Sequence, residues 1–419
     1  VLVQDSEEPT GTLSLAQALS LALQRQPDLV AFSREIRARE AAVQQAGLLP
    51  NPELSATIEN VGNPDLEDLD GPATTIQLGQ LIELGRKRAA RVETAALDRD
   101  LAVWDYEARR AELLTEVAQA FFAVLSAQQR VALAQQSVEL ARQVVTTAQA
   151  RVKAGTASPV EETRARIALG SASIELQSVE RELEAARRRL AATWRSTMPR
   201  FRAVAGEYEA VRPVPALEQL SERIARTPAL ARWATERAQR QATLRQERAQ
   251  AVPDITVSGG VTRFHEADEG AFVIGVSVPL PLFNRNQGAI AEAQQRIEKA
   301  HDEQAAAEVR VATALAQAYQ ALTRAHDRVG ALDRSVLPAA RSAFEAVSQG
   351  YRLGKFGYLD VLDAQRTLFE AQAQYLQALG DYHQAVAEVE GLIGGPLWPQ
   401  ETGSDRPATE SADGGGARP

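Results

Sequence analysis

The sequence predicts a mainly α chain with a small β part, built as two internal repeats of one unit: short helices, a β-hairpin, and two very long helices joined by a glycine tip. Three observations predict it. From Lys87 to Ala154 there is no glycine or proline, so a helix can run unbroken for about 100 Å at ~1.5 Å per residue. Within that stretch Val117, Ala120, Val124, Ala127, Val131, Ala134, Val138, Ala141, Val145, Ala148 and Val152 alternate at three and four, the period of a coiled-coil seam. The third observation is an offset. Gly155 and Gly354 lie 199 residues apart, and the same offset sets Gln80 against Pro279, Gly85-Arg86 against Asn284-Arg285 and Glu161 against Asp360. Nearer the start the offset is 201, matching Pro27 with Pro228 and Pro52 with Pro253, which is the behaviour of a duplicated unit.

Taken in order, residues 1–12 form an extended lead and residues 13–212 the first repeat, which opens with helices to about residue 47. A change of period follows. Leu54, Ala56 and Ile58 alternate with Ser55, Thr57 and Glu59, the pattern of a strand with one apolar face. With its partner at Ala73 to Leu81 it makes a hairpin over about residues 52–82, and long helices are expected at about 86–153 and 158–196. Between them Gly155 stops the first rod, Ser158 caps the next and Pro159 takes its first position. The second repeat, 213–398, has a hairpin at about 253–281 and long helices at about 286–352 and 358–393. Its first rod carries a seam of Val311, Leu315, Ala318, Leu322, Ala325, Val329, Leu332 and Val336, with Gly330 and Pro338 expected to bend it. The tail, 399–419, lacks periodic apolar residues and is expected to be disordered.

Composition removes several classes of function. The net charge of −9 over 419 residues opposes nucleic acid as the partner. There is no cysteine, and His265, His301, His326 and His383 show no paired ligand spacing, so neither a structural metal nor a cofactor is predicted. No phosphate loop or nucleophile elbow is present, and an enzyme is not expected. No stretch reaches the roughly 20 apolar residues of a spanning helix. The strands, however, have the length and alternation of tilted outer-membrane strands. Four cannot close a barrel, since about eight is the usual minimum, so several chains must share one.

The order of elements resembles the TolC-type outer-membrane efflux channels over about residues 12–398. Three motifs carry the likeness: Leu78-Gly-Gln-Leu-Ile-Glu-Leu-Gly-Arg-Lys-Arg88, Val278-Pro-Leu-Pro-Leu-Phe-Asn-Arg-Asn-Gln-Gly288 and Tyr358-Leu-Asp-Val-Leu-Asp-Ala-Gln365. The second is similar to the branch that serves heavy-metal (cobalt, zinc, cadmium) pumps of the RND type. The resemblance implies a homotrimer, with a 12-stranded β-barrel in outer-membrane lipid continued by a 12-helix α-barrel in the periplasm. It also implies a periplasmic adaptor (membrane fusion) protein and an inner-membrane pump as partners, with heavy-metal cations as cargo. Drug efflux, type I protein secretion and a periplasmic coiled-coil scaffold are the alternatives. An exported protein needs a signal, so the numbering is expected to start on a mature or trimmed form. With Val1 first, a lipid anchor is not indicated.

The same resemblance assigns a gate. Asp360 and Asp363 match the paired aspartates at the periplasmic entrance, and their spacing sets both on one helix face. Six such carboxylates in a trimer would gather cations and raise one another's proton affinity. Glu161 matches an acidic gate residue and Tyr351 a tyrosine that hydrogen-bonds to it. Where the family has a gate arginine this chain has Phe356, so the lock falls to Lys355, to an apolar plug of three Phe356 side chains, or to neither. The turns Gly155, Thr156, Ala157, Ser158 and Gly354, Lys355, Phe356, Gly357 match the adaptor-docking tips. Asp65, Glu67, Asp68, Asp70, Glu266, Asp268 and Glu269 are expected to be loop surface at the barrel mouth.

Overall fold

The computed structural model describes residues 8–61, 72–265 and 268–398. The tail 399–419 and the loop acids Asp65, Glu67, Asp68, Asp70 and Glu266 lie outside the described residues. The elements are β1 (Thr12–Ser14), α1 (Leu15–Arg25), α2 (Pro27–Ala46), β2 (Glu53–Glu59), β3 (Ala73–Ile82), α3 (Lys87–Lys153) and α4 (Pro159–Ala192). They continue with β4 (Ala203–Ala205), α5 (Leu217–Ile224), α6 (Pro228–Gln250), β5 (Ile255–Phe264), β6 (Glu269–Ser277), α7 (Gln287–Ala331), a π turn (Leu332–Val336), α8 (Leu337–Arg352) and α9 (Tyr358–Ile393).

Helix α3 is a single rod of 67 residues. Its seam is where the alternation of three and four puts it: Val117, Val124, Ala127, Ala134, Val138, Ala141 and Ala148 are all buried, against α4 and α9 among others. The second rod departs from its expected seam. Leu315 through Leu332 follow it, but Val336 is 43% exposed. Pro338 has no N–H to give and its ring would crowd the carbonyl four residues back. The helix answers by widening: Leu337 N–H bonds to Leu332 O, five residues back, and this π turn inserts one extra residue. The buried face resumes one place later, at Ala340 and Tyr351. At Pro338, where a bend is expected, the structure has a π turn.

Both rods start from a left-handed residue, Arg86 at φ 61 and Asn286 at φ 58. These caps are 200 residues apart, so the pairing of Arg86 with Arg285 is one residue out. The offset falls to 199 at the tips because the second rod is one residue shorter. At the first junction Lys87 is buried and pairs with Asp254 at 2.7 Å, whose other oxygen accepts from Leu84 N at 3.0 Å. A Cβ on Gly85, itself at φ +66, would come 2.8 Å from Val252, which is why the strand can enter the rod so close to the end of α6.

The two hairpins join edge to edge into one antiparallel sheet, in the order β2-β3-β5-β6. The register sets Ala56 opposite Ile76, Ile76 opposite Val261 and Val261 opposite Phe272. One face is therefore apolar across all four strands, and Leu54, Ile58, Ile76, Leu78, Val261, Phe272, Ile274 and Val276 are at least half exposed on it. The other face is a hydrogen-bonded polar ladder. Ser55 donates to Gln77 O, Gln77 Nε2 donates to Ser258 Oγ, Ser258 donates to Gly275 O, and the Thr75 and Thr262 hydroxyls meet at 2.8 Å.

The main core lies midway along the rods, where Leu113, Val117, Phe121 and Val124 of α3 meet Leu315 and Leu322 of α7 and Leu379 and Val389 of α9. A short parallel ribbon, β1 with β4, is held to α3 by Gln128, which bonds both the N–H and the carbonyl of Val204. The segment after β4 straps across α9. Tyr208 donates to Leu376 O at 2.7 Å, Tyr382 bonds the backbone of Arg212, and His383 Nε2 meets Tyr208 O at 2.7 Å. The His383 ring stacks on Phe122 at 4.3 Å.

Candidate functional site

The two tips are the same structure built twice. Gly155 at φ +73 and Gly354 at φ +76 hold the left-handed position that ends a helix. The following N–H closes the turn in each case, Thr156 to Arg151 O at 2.9 Å and Lys355 to Gly350 O at 2.8 Å. Ser158 caps α4 through Val160 N. On the second tip Gly357 has no side chain to cap with, and Asp360 reaches back to accept from Gly357 N at 2.8 Å. Nothing lies within 4 Å of a Cβ placed on Gly155 or Gly354. Both turns are open to an approaching backbone.

Between the tips the hairpins share a small core of Ala148, Ala165, Tyr351, Tyr358 and Val361. The Arg151 guanidinium lies over the Tyr351 ring at 4.4 Å, and the Tyr351 and Tyr358 rings are 6.3 Å apart. The structure brings Glu161 and Tyr351 into this core, but the hydrogen bond expected between them is absent. Tyr351 Oη, Tyr358 Oη and Glu161 Oε2 are buried without a partner. Burial, with Tyr351 and Glu161 nearby, pushes the Tyr358 phenol up to about 12, so it stays a neutral donor. Near this tip the Glu162 carboxylate bridges α3 and α4, accepting from Gln149 and from Arg166 on its own helix. Those bonds, Arg166 first, hold its proton affinity below the usual carboxylate range.

The expected gate residues divide. Asp360 and Asp363 are both exposed, Asp360 as a cap and Asp363 loosely paired to Arg366 at 3.8 Å. Lys355 is exposed. Phe356 is folded back over α8: a Cβ on Gly350 would lie 2.2 Å from its ring, although the side chain is still 46% exposed. Tyr358 is the tip residue that the sequence reading missed. The signal was there, since it is the only aromatic residue of the Tyr358–Gln365 motif and stands seven residues after Tyr351 across the tip.

A sheet with a lipid-compatible face and a polar face, carried on rods with no apolar spanning helix among the described residues, is the architecture of an outer-membrane duct. The chain belongs to the outer membrane efflux protein family, whose model matches residues 18–194 and 220–395, one match in each repeat. It is 38% identical over 387 residues to the cobalt-zinc-cadmium resistance protein CzcC of Cupriavidus metallidurans, covering 92% of this chain and 91% of that protein. It is 30% identical to the nickel and cobalt resistance protein CnrC of the same organism, over 70% of this chain and 69% of that one. The fold is that of the channel CusC, with a TM-score of 0.77 at 18% identity over 91% of this chain and 92% of that one. A membrane protein from Pseudomonas aeruginosa gives 0.77 at 20% identity, over 91% and 92%. The chain is thus a TolC-type efflux channel of the outer membrane, a transport duct and not an enzyme.

Proposed function

We propose that this chain is the exit duct for divalent heavy-metal cations, working as a homotrimer with a periplasmic adaptor and an inner-membrane RND-type pump. The carrying observation is the four-stranded sheet with two open edges, β2 and β6. Three copies joined β6 to β2 give twelve strands, enough to close a barrel, with the polar ladder inside and the apolar face outside. Helix α4 supports the same assembly. Its Val160, Ile167 and Ile174, seven residues apart, are 55%, 64% and 70% exposed, an apolar seam left for a helix of another copy. The cargo is supported by the relatives, which are named for cobalt, zinc, cadmium and nickel resistance.

In this reading Asp360 and Asp363 ring the entrance and concentrate cations there. Tyr351 helps hold the two hairpins together through ring packing with Arg151 and Tyr358, Glu161 lies beside it, and Phe356 or Lys355 narrows the bore. The open tips, Gly155 to Ser158 and Gly354 to Gly357, receive the adaptor. The test is growth of a host lacking this chain in graded Co²⁺, Zn²⁺ and Cd²⁺, with and without re-expression, alongside the mass of the detergent-extracted particle. Restored tolerance with a trimer supports the proposal. A trimer without any change in tolerance overturns the cargo and leaves the duct, whereas a water-soluble monomer overturns the duct.

A further inference from the structure

The lipid-facing sheet is too short for its task as it stands. Strands rise ~3.3 Å per residue and tilt by about 40° in outer-membrane barrels, so each residue adds roughly 2.5 Å of height to an apolar band about 25 Å tall. On β6 the outward stripe Phe272, Ile274, Val276 spans only about 10 Å on that scale. It cannot grow upward. Arg263 stands on the same face, opposite Gly270, and pairs with Asp268 at the top of the sheet. The missing height must come from below.

The chain supplies it there. Past the last ladder pair, Thr256 with Ser277, the same alternation continues through Val278 and Leu280, 42% and 75% exposed, followed by Leu282 and Phe283 at 65% and 90%. Phe272 to Leu280 is about 20 Å of height by the same rise and tilt, and Leu282 and Phe283 complete the band. Unpaired backbone is normally barred from lipid because each orphaned N–H is expensive. In this segment Pro279 and Pro281 have no N–H, and Leu282 N–H is bonded to Leu280 O at 2.9 Å. The carbonyls of Pro281 and Phe283 accept from Arg285 Nε and Gln287 Nε2. Beneath the apolar stretch come the exposed cations Arg86, Arg88 and Arg285, placed to reach phosphates while their stems lie along acyl chains. The opposite edge repeats the device, with Pro50 and Pro52 ahead of β2 and Leu48 and Leu49 56% and 65% exposed.

We propose that Val278 to Phe283 is a membrane collar: an unladdered segment, with two of its six N–H groups removed by proline and a third bonded within the segment, that seats in the periplasmic leaflet of the outer membrane just above its phosphates. The proposal rests on the outer-membrane duct reading and extends it to the lipid partner. The absence of cysteine makes every introduced thiol unique. Leu282→Cys, with Phe283→Cys as a second position should the first fail to assemble, would carry a nitroxide in the trimer reconstituted into phosphatidylethanolamine–phosphatidylglycerol vesicles. Collision rates with oxygen and with a water-soluble nickel chelate are then compared with two references, Ile274→Cys on the sheet and Lys299→Cys on α7. The collar predicts an oxygen-to-nickel ratio at 282 within about twofold of that at 274 and far above that at 299, because oxygen partitions into hydrocarbon. A ratio at 282 matching that at 299 overturns the collar, and so does a label shut to both probes, which would seat the segment against a second copy. If position 274 is itself open to nickel, the duct reading has failed and not the collar alone.

Discussion

The buried pair at the first junction gives the sharpest perturbation. Lys87 is 6% exposed and Asp254 22%, with 2.7 Å between Nζ and Oδ2. At an effective dielectric near 20 that distance corresponds to an attraction of about 6 kcal/mol, most of it offset by desolvation. Asp254→Ala removes the attraction and leaves the ammonium where it was. It also strips Leu84 N–H of its acceptor. The expected loss is about 3–5 kcal/mol, the usual penalty for an orphaned buried charge. Lys87→Met combined with Asp254→Leu removes both charges and should recover most of it, leaving a deficit near ~1 kcal/mol from the unpaired Leu84 N–H. The assay is urea unfolding of the detergent-solubilised protein followed by far-UV circular dichroism. If Asp254→Ala shifts stability by less than about 1 kcal/mol, water reaches Lys87 and the reasoning from burial is wrong.

His383 should make stability depend on pH. Burial lowers its proton affinity from the ordinary 6.5, so the unfolded chain takes the proton first and stability, complete above about 6.5, falls as pH drops below it; His383→Phe should flatten that fall in unfolding curves between pH 8 and 5. Phe356→Ala should raise single-channel conductance more than Lys355→Ala does, and the reverse order would give the narrowing to the lysine. Gly354→Leu forces a side chain into φ +76, at about 1–2 kcal/mol of local strain, and should reduce metal efflux while the trimer still assembles, as read by tolerance assays and particle mass. Tyr351→Phe deletes a hydroxyl without a partner and should leave stability within about 1 kcal/mol of the parent; a larger loss in unfolding would show that the hydroxyl is bonded in the assembled trimer.

What was legible in the sequence was whatever repeats. The seam of α3 and the strand alternation are periodic, and packing obeys periodicity directly, so Val117 and Ala148 are buried and Ile76 and Phe272 face outward. Val336 was misplaced because a single proline changed the number of residues per turn, and no periodic count registers one local π bond. The junction equivalence slipped by one for a similar reason, since the left-handed caps at Arg86 and Asn286 are defined by backbone torsion and not by residue type. At the tips the glycines were readable from their neighbours, but side-chain direction was not. Asp360 is tied to Gly357 N because glycine leaves the cap vacant, and Phe356 folds onto Gly350 because the space there is open. The burial of the Tyr358 hydroxyl depends on two hairpins meeting, 199 residues apart in the chain.

The π turn at Leu332–Val336 has a consequence for how the second rod serves two cores. One added residue rotates everything beyond it by about 100° relative to an unbroken helix, so the buried face above the turn and the buried face below it are in different phase. The upper half of the second rod answers to the mid-rod core and the lower half to the tip core, while α9 runs unbroken beside both, from Tyr358 in the tip core to Val389 in the main core. The turn thus lets one helix of the second tip's pair change phase where its straight partner does not.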